Sequence, residues 1–460
     1  MSCSSSTRIF GLEKNPSGYI GDLSKYAAPP SPPQRPHIKS TSCPEMSAHP
    51  PTESVELSPS LERRRVEYTS EYGALQYLFG LSLTIKQIRK ILNKPFIRKN
   101  ITAIIRETDP PINYIPSEVF SLTALVTLVL HNQKILSVPP TLEQLQSLTF
   151  LDLSSNDLSA LPSTLKHLSH LETLCVNNNS LKSLPDLPKG LLKLSISKNS
   201  LSTMPQSISS LPKLEELFMN GCLLSTLYDL PVSLTFLDLG NNPCLQIPEQ
   251  IGRLSRLKTL IFSGNTAAMT LEHLSPLSKL EELYLCANYA RKLPTSLWKL
   301  ENIRRAFLSD NAFAAIPVGI IEFGWHRITF LDLSRNNLSS VPENLGKLTQ
   351  LQELLLSRNE LQSWPQSSNA LISLTHLDLS QNRLTQVFPE ILTIPNLQKI
   401  TLQYNHILAS SVCGIFKALT HLQACNLVGN PIEIGHIPKP LRKKVLIRPP
   451  LMGTTRAPSS

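Results

Sequence analysis

The chain has 460 residues, of which 41% are hydrophobic, enough to bury a large core and to exclude wholesale disorder. Its formal net charge of +10 would suggest nucleic acid or an anionic membrane if the charge lay on the folded body. However, residues 121–435 hold 23 basic and 23 acidic residues, and the excess lies in residues 1–120 and 436–460. A neutral body lacks the basic stripe that neutralises phosphates, so this part of the chain is not expected to bind nucleic acid.

Residues 1–60 are rich in serine and contain ten prolines without a repeating pattern, which predicts a disordered segment. Within it, Pro30, Pro33 and Arg35 have the PxxPxR spacing of a peptide that binds an SH3-type groove. A plain proline-rich linker explains the same residues without a partner. The first residues lack a signal-peptide core.

Residues 61–109 are predicted to form a short helical region that caps the next domain; a small independent adaptor domain is the alternative. Two apolar stripes have helical spacing, and the second ends before Pro95. The first stripe consists of Tyr68, Tyr72, Leu75, Leu78 and Phe79, and the second of Ile85, Ile88, Ile91 and Leu92. Ile101 and Ile104 keep the spacing of the repeats that follow, and predict a degenerate first strand.

Residues 110–435 repeat the unit L-x-x-L-x-L-x-x-N-x-L about fourteen times, at steps of 20, 23 or 25 residues. The phrase SLTFLDLSSN (147–156) returns as SLTFLDLGNN (233–242) and SLTHLDLSQN (373–382). Two copies depart from asparagine at the ninth position, Gln133 and Cys222. The ninth position is held by Gln133, Asn156, Asn179, Asn199, Cys222, Asn242, Asn265, Asn288, Asn311, Asn336, Asn359, Asn382, Asn405 and Asn430.

This unit resembles that of the leucine-rich-repeat family. The resemblance implies an α/β solenoid, a horseshoe with a parallel β-sheet on its concave face and short helical, 3₁₀ or extended returns on its convex face. In each L-x-L strand the leucines point inward and the x residues outward, because strand side chains alternate between faces. The asparagine amide can pair with backbone groups of the turn, and stacked units would align these amides in a ladder.

Residues 436–460 are predicted to form a basic C-terminal tail, since they hold six basic residues and no acidic one. The run Arg442-Lys443-Lys444 could serve nuclear import or a membrane surface. A solvated tail that keeps the last repeat's edge from pairing is the simpler interpretation.

The motifs of common enzyme classes are absent from the sequence, and so are metal and cofactor signatures. The histidines occur singly, and the eight cysteines show neither CxxC pairs nor metal-ligand spacing. Scattered thiols suit a reducing compartment, and no run of about 18 apolar residues predicts a membrane span. We therefore expect a non-enzymatic protein without cofactor or metal, either cytoplasmic or secreted into a host cell without a Sec signal peptide.

A protein-binding site is predicted on the outward strand positions of the seventh to ninth repeats. Ile261, Tyr284 and Phe307 are consecutive at the fifth position, where three large apolar side chains would form an exposed patch. Neighbouring positions add aromatic residues and arginine, which are enriched at binding hot spots. These additional residues are Phe218, Phe236, Arg304, Arg305 and Phe330. The alternative is that Tyr284 and Phe307 only cover strand backbone or pack on each other.

Three functions fit these features. The segment SLPDLPKGLLKLSISKN (183–199), which belongs to one of the 20-residue units, resembles the repeats of type III-secreted bacterial effectors that lack a ligase domain. The 23-residue units resemble intracellular, Ras-associated-type arrays. Both resemblances imply a scaffold that binds a protein on its concave face. A substrate-recognition subunit of a ubiquitin-ligase-type or other enzyme complex, docked through the N-terminal helical region, is the second. A structural or regulatory protein is the third.

Overall fold

The computed structural model describes residues 77–79, 85–93, 101–106, 111–243, 245–265, 270–412, 422–437 and 443–447. All of them belong to the unit Thr69–Ser460. The predictions for residues 1–60, including the proline motif at Pro30–Arg35, lie outside the described residues, as do those for Tyr68, Tyr72 and Leu75.

A single parallel sheet of 17 strands runs through this part of the chain, and each strand pairs with the next one in sequence. This confirms the predicted α/β solenoid. The strands are β1 Tyr77–Phe79, β2 Ala103–Arg106, β3 Thr127–Leu130, β4 Phe150–Asp152, β5 Thr173–Cys175, β6 Lys193–Ser195, β7 Glu216–Phe218, β8 Phe236–Asp238, β9 Thr259–Ile261, β10 Glu282–Tyr284, β11 Arg305–Phe307, β12 Phe330–Asp332, β13 Glu353–Leu355, β14 His376–Asp378, β15 Lys399–Thr401, β16 Ala424–Asn426 and β17 Val445–Leu446.

The returns between strands are short helical turns or extended chain. Most of the turns follow a proline at the N-cap position, where the fixed φ of proline suits the extended backbone that leads into the turn. The α-helices are α1 Ile85–Leu92, α2 Gln206–Ser209, α3 Val318–Phe323, α4 Pro389–Leu392 and α5 Ala409–Val412. The 3₁₀ helices are η1 Ser117–Ser121, η2 Pro140–Gln144, η3 Ser163–His167, η4 Glu249–Arg253, η5 Leu271–Leu274, η6 Thr295–Lys299, η7 Glu343–Lys347, η8 Gln366–Ala370 and η9 Ile434–His436. The two 20-residue units, between β5 and β6 and between β7 and β8, have extended returns.

The asparagine ladder lies inside the stack and joins each repeat to the one before it. Asn311 Nδ2 donates to the carbonyl of Leu308 in its own repeat (3.1 Å) and to that of Leu285 in the preceding one (2.8 Å). Its Oδ1 accepts from the backbone N–H groups of Asn288 (3.2 Å) and Ala290 (3.0 Å). One side chain thus satisfies four backbone groups that the stack removes from water.

The two departures from asparagine are accommodated by side chains that keep part of this pattern. Gln133 is fully buried, and its Nε2 donates to the carbonyls of His131 (3.0 Å) and Asn132 (3.2 Å). The thiol of Cys222 donates to the carbonyl of Ile196 in the preceding repeat at 3.2 Å. A thiol has no counterpart of the amide oxygen, so this position keeps only the donor half of the interaction.

The aspartate of the recurring LDL phrase closes the turn that follows each strand. Asp152 Oδ1 accepts from the N–H of Ser154 at 2.8 Å, and Asp332 Oδ1 accepts from the N–H of Ser334 at 2.9 Å. Asp378 makes the equivalent bond to Ser380 at 2.9 Å. The phrase recurs because the same turn is built in each of these layers.

The residue before each ladder position has a left-handed backbone conformation, a feature that the leucine pattern did not predict. Ala287 (φ 56°), Asp310 (φ 57°) and Arg335 (φ 54°) occupy it without the freedom of Gly264 (φ 74°). The left-handed region is unfavourable for residues with a Cβ atom. The ladder contacts therefore stabilise this turn, although its left-handed backbone conformation is locally unfavourable.

The N-terminal end of the sheet corrects one prediction. Leu78 and Phe79 do not lie on a helix, because β1 pairs in parallel with β2, with Tyr77 opposite Ala103 and Phe79 opposite Ile105. The edge of β2 presents unpaired backbone groups, and a short apolar run satisfies them by strand pairing, which outweighs a helical spacing of apolar residues. Ile104 lies on β2, where the repeat spacing predicted a strand.

Helix α1 spans the second predicted stripe, from Ile85 to Leu92. The side chain of Leu92 is fully buried and belongs to the core that continues through the repeats. Arg89 forms an ion pair with Glu118 on η1 at 3.4 Å, and its guanidinium lies 5.8 Å from the ring centroid of Tyr114. The helix therefore contacts the first return of the stack.

The sheet also continues beyond the predicted C-terminal boundary at residue 435. Strand β17 pairs with β16, with Val445 opposite Cys425, so the segment predicted as a solvated tail contributes an edge strand. Lys443 and Lys444 are exposed. The apolar residues Val445 and Leu446 explain the pairing, because Val445 is buried against the core.

Replacing Asn311 by alanine should destabilise the chain by about 3 kcal/mol, since each buried N–H left unpaired costs about 1–3 kcal/mol. Asn311→Cys should lose less stability than Asn311→Ala, because Cys222 shows that a thiol at this position can donate to a carbonyl of the preceding repeat. Urea unfolding followed by circular dichroism measures the difference. Asp310→Asn, at the exposed neighbouring position, is the control; an alanine variant no weaker than this control would contradict the role of the ladder.

Candidate functional site

The predicted site residues lie on the sheet face, which is formed by the second, third and fifth residues of each repeat unit. Six of them lie one on each of the neighbouring strands β7 to β12, and we call these six the aromatic strip. The aromatic strip consists of Phe218, Phe236, Ile261, Tyr284, Phe307 and Phe330. Arg305 starts β11 and pairs in register with Glu282 on β10 and Phe330 on β12, and Arg304 directly precedes it. The parallel register thus brings all eight predicted residues into one region.

The prediction that Ile261, Tyr284 and Phe307 are exposed is wrong. Their exposed fractions are 7%, 6% and 6%. The rings of Tyr284 and Phe307 are stacked, with centroids 4.3 Å apart and planes 6° from parallel. Because that distance is close to the spacing between strands, flat side chains in one row cover each other, which is the packing alternative considered above.

The other three aromatic residues of the strip remain half-buried and offer ring surface to a partner. Phe218 and Phe236 are tilted against each other at 4.6 Å, and Phe330 is tilted against Phe307 at 4.7 Å. Phe236 and Phe330 occupy the third position of the unit, at the margin of the fifth-position row. The contact surface of the strip is therefore at its margins, above a buried central stack.

Charged side chains line the same margin. Arg305 is exposed, with its guanidinium 5.2 Å from the ring centroid of Phe307 and 5.4 Å from that of Phe330, as in a cation–π interaction. The hydroxyl of Tyr284 donates to Glu282 Oε2 at 3.1 Å. Burial, and then the Glu282 carboxylate, raise the pKa of Tyr284, so its hydroxyl stays protonated as a donor.

Two cationic residues of this region were not among the predicted site residues. Lys193 on β6 lies with its ammonium 5.0 Å from the ring centroid of Phe218 and 2.9 Å from Glu216 Oε2. Lys258 precedes β9, and its ammonium lies 3.7 Å from Glu281. Both occupy second or third positions of the repeat unit. The sequence could therefore have identified them, because Arg304 and Arg305 were chosen for occupying the same positions.

Three buried thiols near the sheet have raised pKa values, which lowers their reactivity. Burial, and to a smaller extent Asp152, raise the pKa of Cys175 to about 12. Burial raises the pKa of Cys425 to about 12 and that of Cys222 to about 11. A thiol in this state is a poor nucleophile and a poor metal ligand. Within the described ranges, no group of three or more histidine, cysteine or acidic residues is arranged to hold a metal ion.

Comparison with known proteins agrees with this geometry. The family model described as Leucine Rich Repeat matches residues 147–168, 327–348 and 373–393. Each match begins at or near a copy of the phrase that contains TFLDL or THLDL. These segments are leucine-rich repeats, and the parallel sheet that continues them has the leucine-rich-repeat fold. Proteins of this fold generally act as binding scaffolds rather than as enzymes.

Solved structures of leucine-rich-repeat proteins resemble most of the chain. A leucine-rich-repeat protein of Leptospira interrogans is 27% identical, with a TM-score of 0.70 over 80% of this chain and 95% of that one. YopM, a leucine-rich effector protein of Yersinia pestis, is 26% identical, with a TM-score of 0.52 over 66% of this chain and 78% of that one. The ectodomain of the Arabidopsis thaliana receptor kinase GASSHO1 is 26% identical, with a TM-score of 0.52 over 73% and 46%.

A curated relative matches only locally. The human volume-regulated anion channel subunit LRRC8A is 32% identical over 89 residues, which is 19% of this chain and 11% of the channel subunit. The match thus spans about a tenth of that protein's length. In the described part of this chain, none of the helices has the length and apolar character needed to cross a bilayer.

The raised pKa values predict that Cys175, Cys222 and Cys425 resist alkylation by iodoacetamide at pH 8.5 in the folded protein and react in urea. Since their folded pKa values lie above the ordinary value of 9.0, the unfolded state loses protons first, and stability should fall as the pH rises from 9 towards 12. Peptide mapping by mass spectrometry measures the first effect and urea titration at each pH the second. Equal labelling of native and unfolded protein would contradict the assignment.

Proposed function

We propose that the chain is a non-enzymatic scaffold that binds a protein partner on its sheet face, at the aromatic strip and the charged margin beside it. The observation that carries the proposal is the juxtaposition of half-buried Phe330 on β12 with exposed Arg305 on the neighbouring strand β11. Exposed Arg304 directly precedes β11, and half-buried Phe236 lies on the same face on β8. Aromatic residues and arginine are the residue types most enriched at the centres of protein interfaces.

The packing beneath these residues supports the same proposal. The stacked rings of Tyr284 and Phe307 form a rigid base, so Phe330 and the Arg305 guanidinium are held in place before a partner arrives. Side chains that are already ordered lose little conformational entropy on binding. A flat, rigid platform of this kind suits a folded protein surface better than a small molecule, which needs a concave pocket.

One structural relative supports binding of a protein ligand by this architecture. The GASSHO1 ectodomain was solved in complex with the protein CASPARIAN STRIP INTEGRITY FACTOR 2. That complex belongs to the plant receptor, and the identity of a partner for this chain does not follow from it. It supports the proposal as an example of a leucine-rich-repeat ectodomain in complex with a binding partner.

The double substitution Phe236→Ser and Phe330→Ser should weaken partner binding by about tenfold or more, because ring contacts at an interface centre commonly contribute more than 1 kcal/mol each. Phe150→Ser is the matched control, since Phe150 occupies the same third position on β4 and is also half-buried. Proximity labelling with the full chain identifies the partner, and calorimetry with the purified partner gives the dissociation constants.

Two outcomes of that experiment would contradict the proposed site. Unchanged affinity of the folded double variant would place the interface elsewhere. An equal loss in the Phe150→Ser control would mean that the effect comes from altered packing of the sheet rather than from lost contacts. Unchanged circular dichroism melting of each variant establishes that the comparison concerns folded protein.

The second candidate is a narrower role, that of a bacterial effector that enters the cytoplasm of a host cell without a Sec signal peptide. It is supported by the 20-residue units at 183–199 and 226–242 and by the structural similarity to the Yersinia pestis effector YopM. If it holds, residues 1–30 fused to a translocation reporter should deliver the reporter into cultured host cells from a bacterium with a type III secretion system. Equal delivery from a strain that lacks the secretion system would contradict it.

A further inference from the structure

We infer that the partner presents acidic side chains to a basic margin formed by Lys258, Arg304 and Arg305. This inference rests on the proposed function, because it concerns the chemistry of the partner that occupies the same face. The three side chains are among the most exposed groups beside the aromatic strip, with exposed side-chain fractions of 59%, 60% and 47%.

The basic margin has unused hydrogen-bonding capacity. Lys258 Nζ and Arg304 Nε each lie 3.7 Å from an oxygen of Glu281, and Arg305 Nη1 lies 3.9 Å from Glu282. These distances exceed those of a hydrogen bond. Within the described part of the chain, Lys258 and Arg304 make these long-range ion pairs, and Arg305 also lies against the rings of Phe307 and Phe330. The N–H groups are therefore available to carboxylates of a partner. A guanidinium group binds a carboxylate in a bidentate geometry.

The cationic side chains of the basic margin are more exposed than the carboxylates beside them. The side chains of Glu281 and Glu282 are 38% and 31% exposed, less than the cationic groups that they neighbour. Glu282 also accepts the hydrogen bond of the Tyr284 hydroxyl, which holds it near the sheet. A partner that approaches the face thus meets cationic groups before it meets carboxylates.

The geometry also sets the spacing of the partner's acidic groups. Arg305 starts β11 and Arg304 directly precedes it, whereas Lys258 lies two strands away, before β9. Two strand spacings correspond to about 10 Å. Arg305 is oriented over the rings of Phe307 and Phe330, so an acidic side chain paired with it would sit beside ring surface. The matching partner segment has two acidic residues about 10 Å apart, with an apolar side chain next to the one that pairs with Arg305, on the side of Phe330.

A protein segment fits this face better than a nucleic acid. The repeat units that contain β7 and β10 have glutamate at their second and third positions, within the same region: Glu215, Glu216, Glu281 and Glu282. A polyanion with evenly spaced phosphates would be repelled by these carboxylates, whereas a protein can place its acidic groups only where the cations are. The neutral charge balance of residues 121–435 agrees with this choice.

The test uses the full chain and a phage-displayed library of random 16-residue peptides. Peptides selected on the wild-type chain should be enriched in paired acidic residues with a neighbouring apolar residue. Arg304→Gln with Arg305→Gln should weaken each selected peptide by about tenfold, and Arg304→Glu with Arg305→Glu should weaken it further. A peptide whose acidic residues are changed to lysine should bind the charge-reversed variant better than it binds the wild type.

Two control variants separate this inference from the proposed function. Peptides that lose affinity for the Phe236→Ser and Phe330→Ser variant but are indifferent to the arginine changes would overturn the acidic partner and leave the sheet-face scaffold standing. Peptides indifferent to both sets would overturn both. The second control, Lys399→Gln, removes an exposed cation of the same face on β15 and should change nothing.

Two further outcomes would overturn the inference of an acidic partner. A fluorescein-labelled single-stranded 30-nucleotide thymidine oligomer is the polyanion probe. Binding of this probe as tight as that of the selected peptides, and equally sensitive to the arginines, would overturn the inference in favour of nucleic acid. Failure of the library to enrich acidic sequences over the unselected pool would overturn it as well.

Discussion

The hydrogen bonds of the asparagine ladder are the interaction on which the rest of the molecule depends. Each ladder amide bonds to backbone groups of two successive repeats, as Asn382 does with the carbonyls of Leu379 and Leu356 (3.0 and 2.9 Å) and the N–H of Leu361 (3.1 Å). No repeat can satisfy its turn alone, so stability spreads from neighbour to neighbour. The same bonds hold successive strands in register, and that register creates the rows of the sheet face.

Sequence periodicity predicted the repeated strands well, because every layer requires inward leucines and a ladder residue at the same positions. Exposure on the sheet face was harder to predict. Alternation shows that Tyr284 and Phe307 point away from the core, but their burial arises from stacking between residues 23 positions apart. Pairwise packing of this kind depends on side-chain shape and strand spacing together, and a count of outward positions contains neither.

The ends of the array were the least predictable part of the fold, for a related physical reason. Within the array every strand has the same neighbours, whereas at the ends the chain must cover exposed backbone groups with whatever residues follow. Phe79 has helical spacing to its apolar neighbours but lies on a strand, and Val445 lies on a strand within a basic segment. Pairing partners supplied by the fold decided both cases, and local pattern does not contain that information.

The burial of the central rings changes how the sheet face works rather than removing its capacity to bind. Tyr284 and Phe307 cannot be the direct contacts, but they set the height and orientation of Phe330 and Arg305, which can. In the site that we propose, buried residues would supply rigidity, half-buried rings apolar contact, and exposed cations orientation and selectivity. The exposed cations lie next to carboxylates instead of forming a uniform basic surface. Attraction for the acidic groups of a partner is therefore confined to a few positions. A face of this kind selects a partner by where its charges lie, while the body of the chain remains electrically neutral.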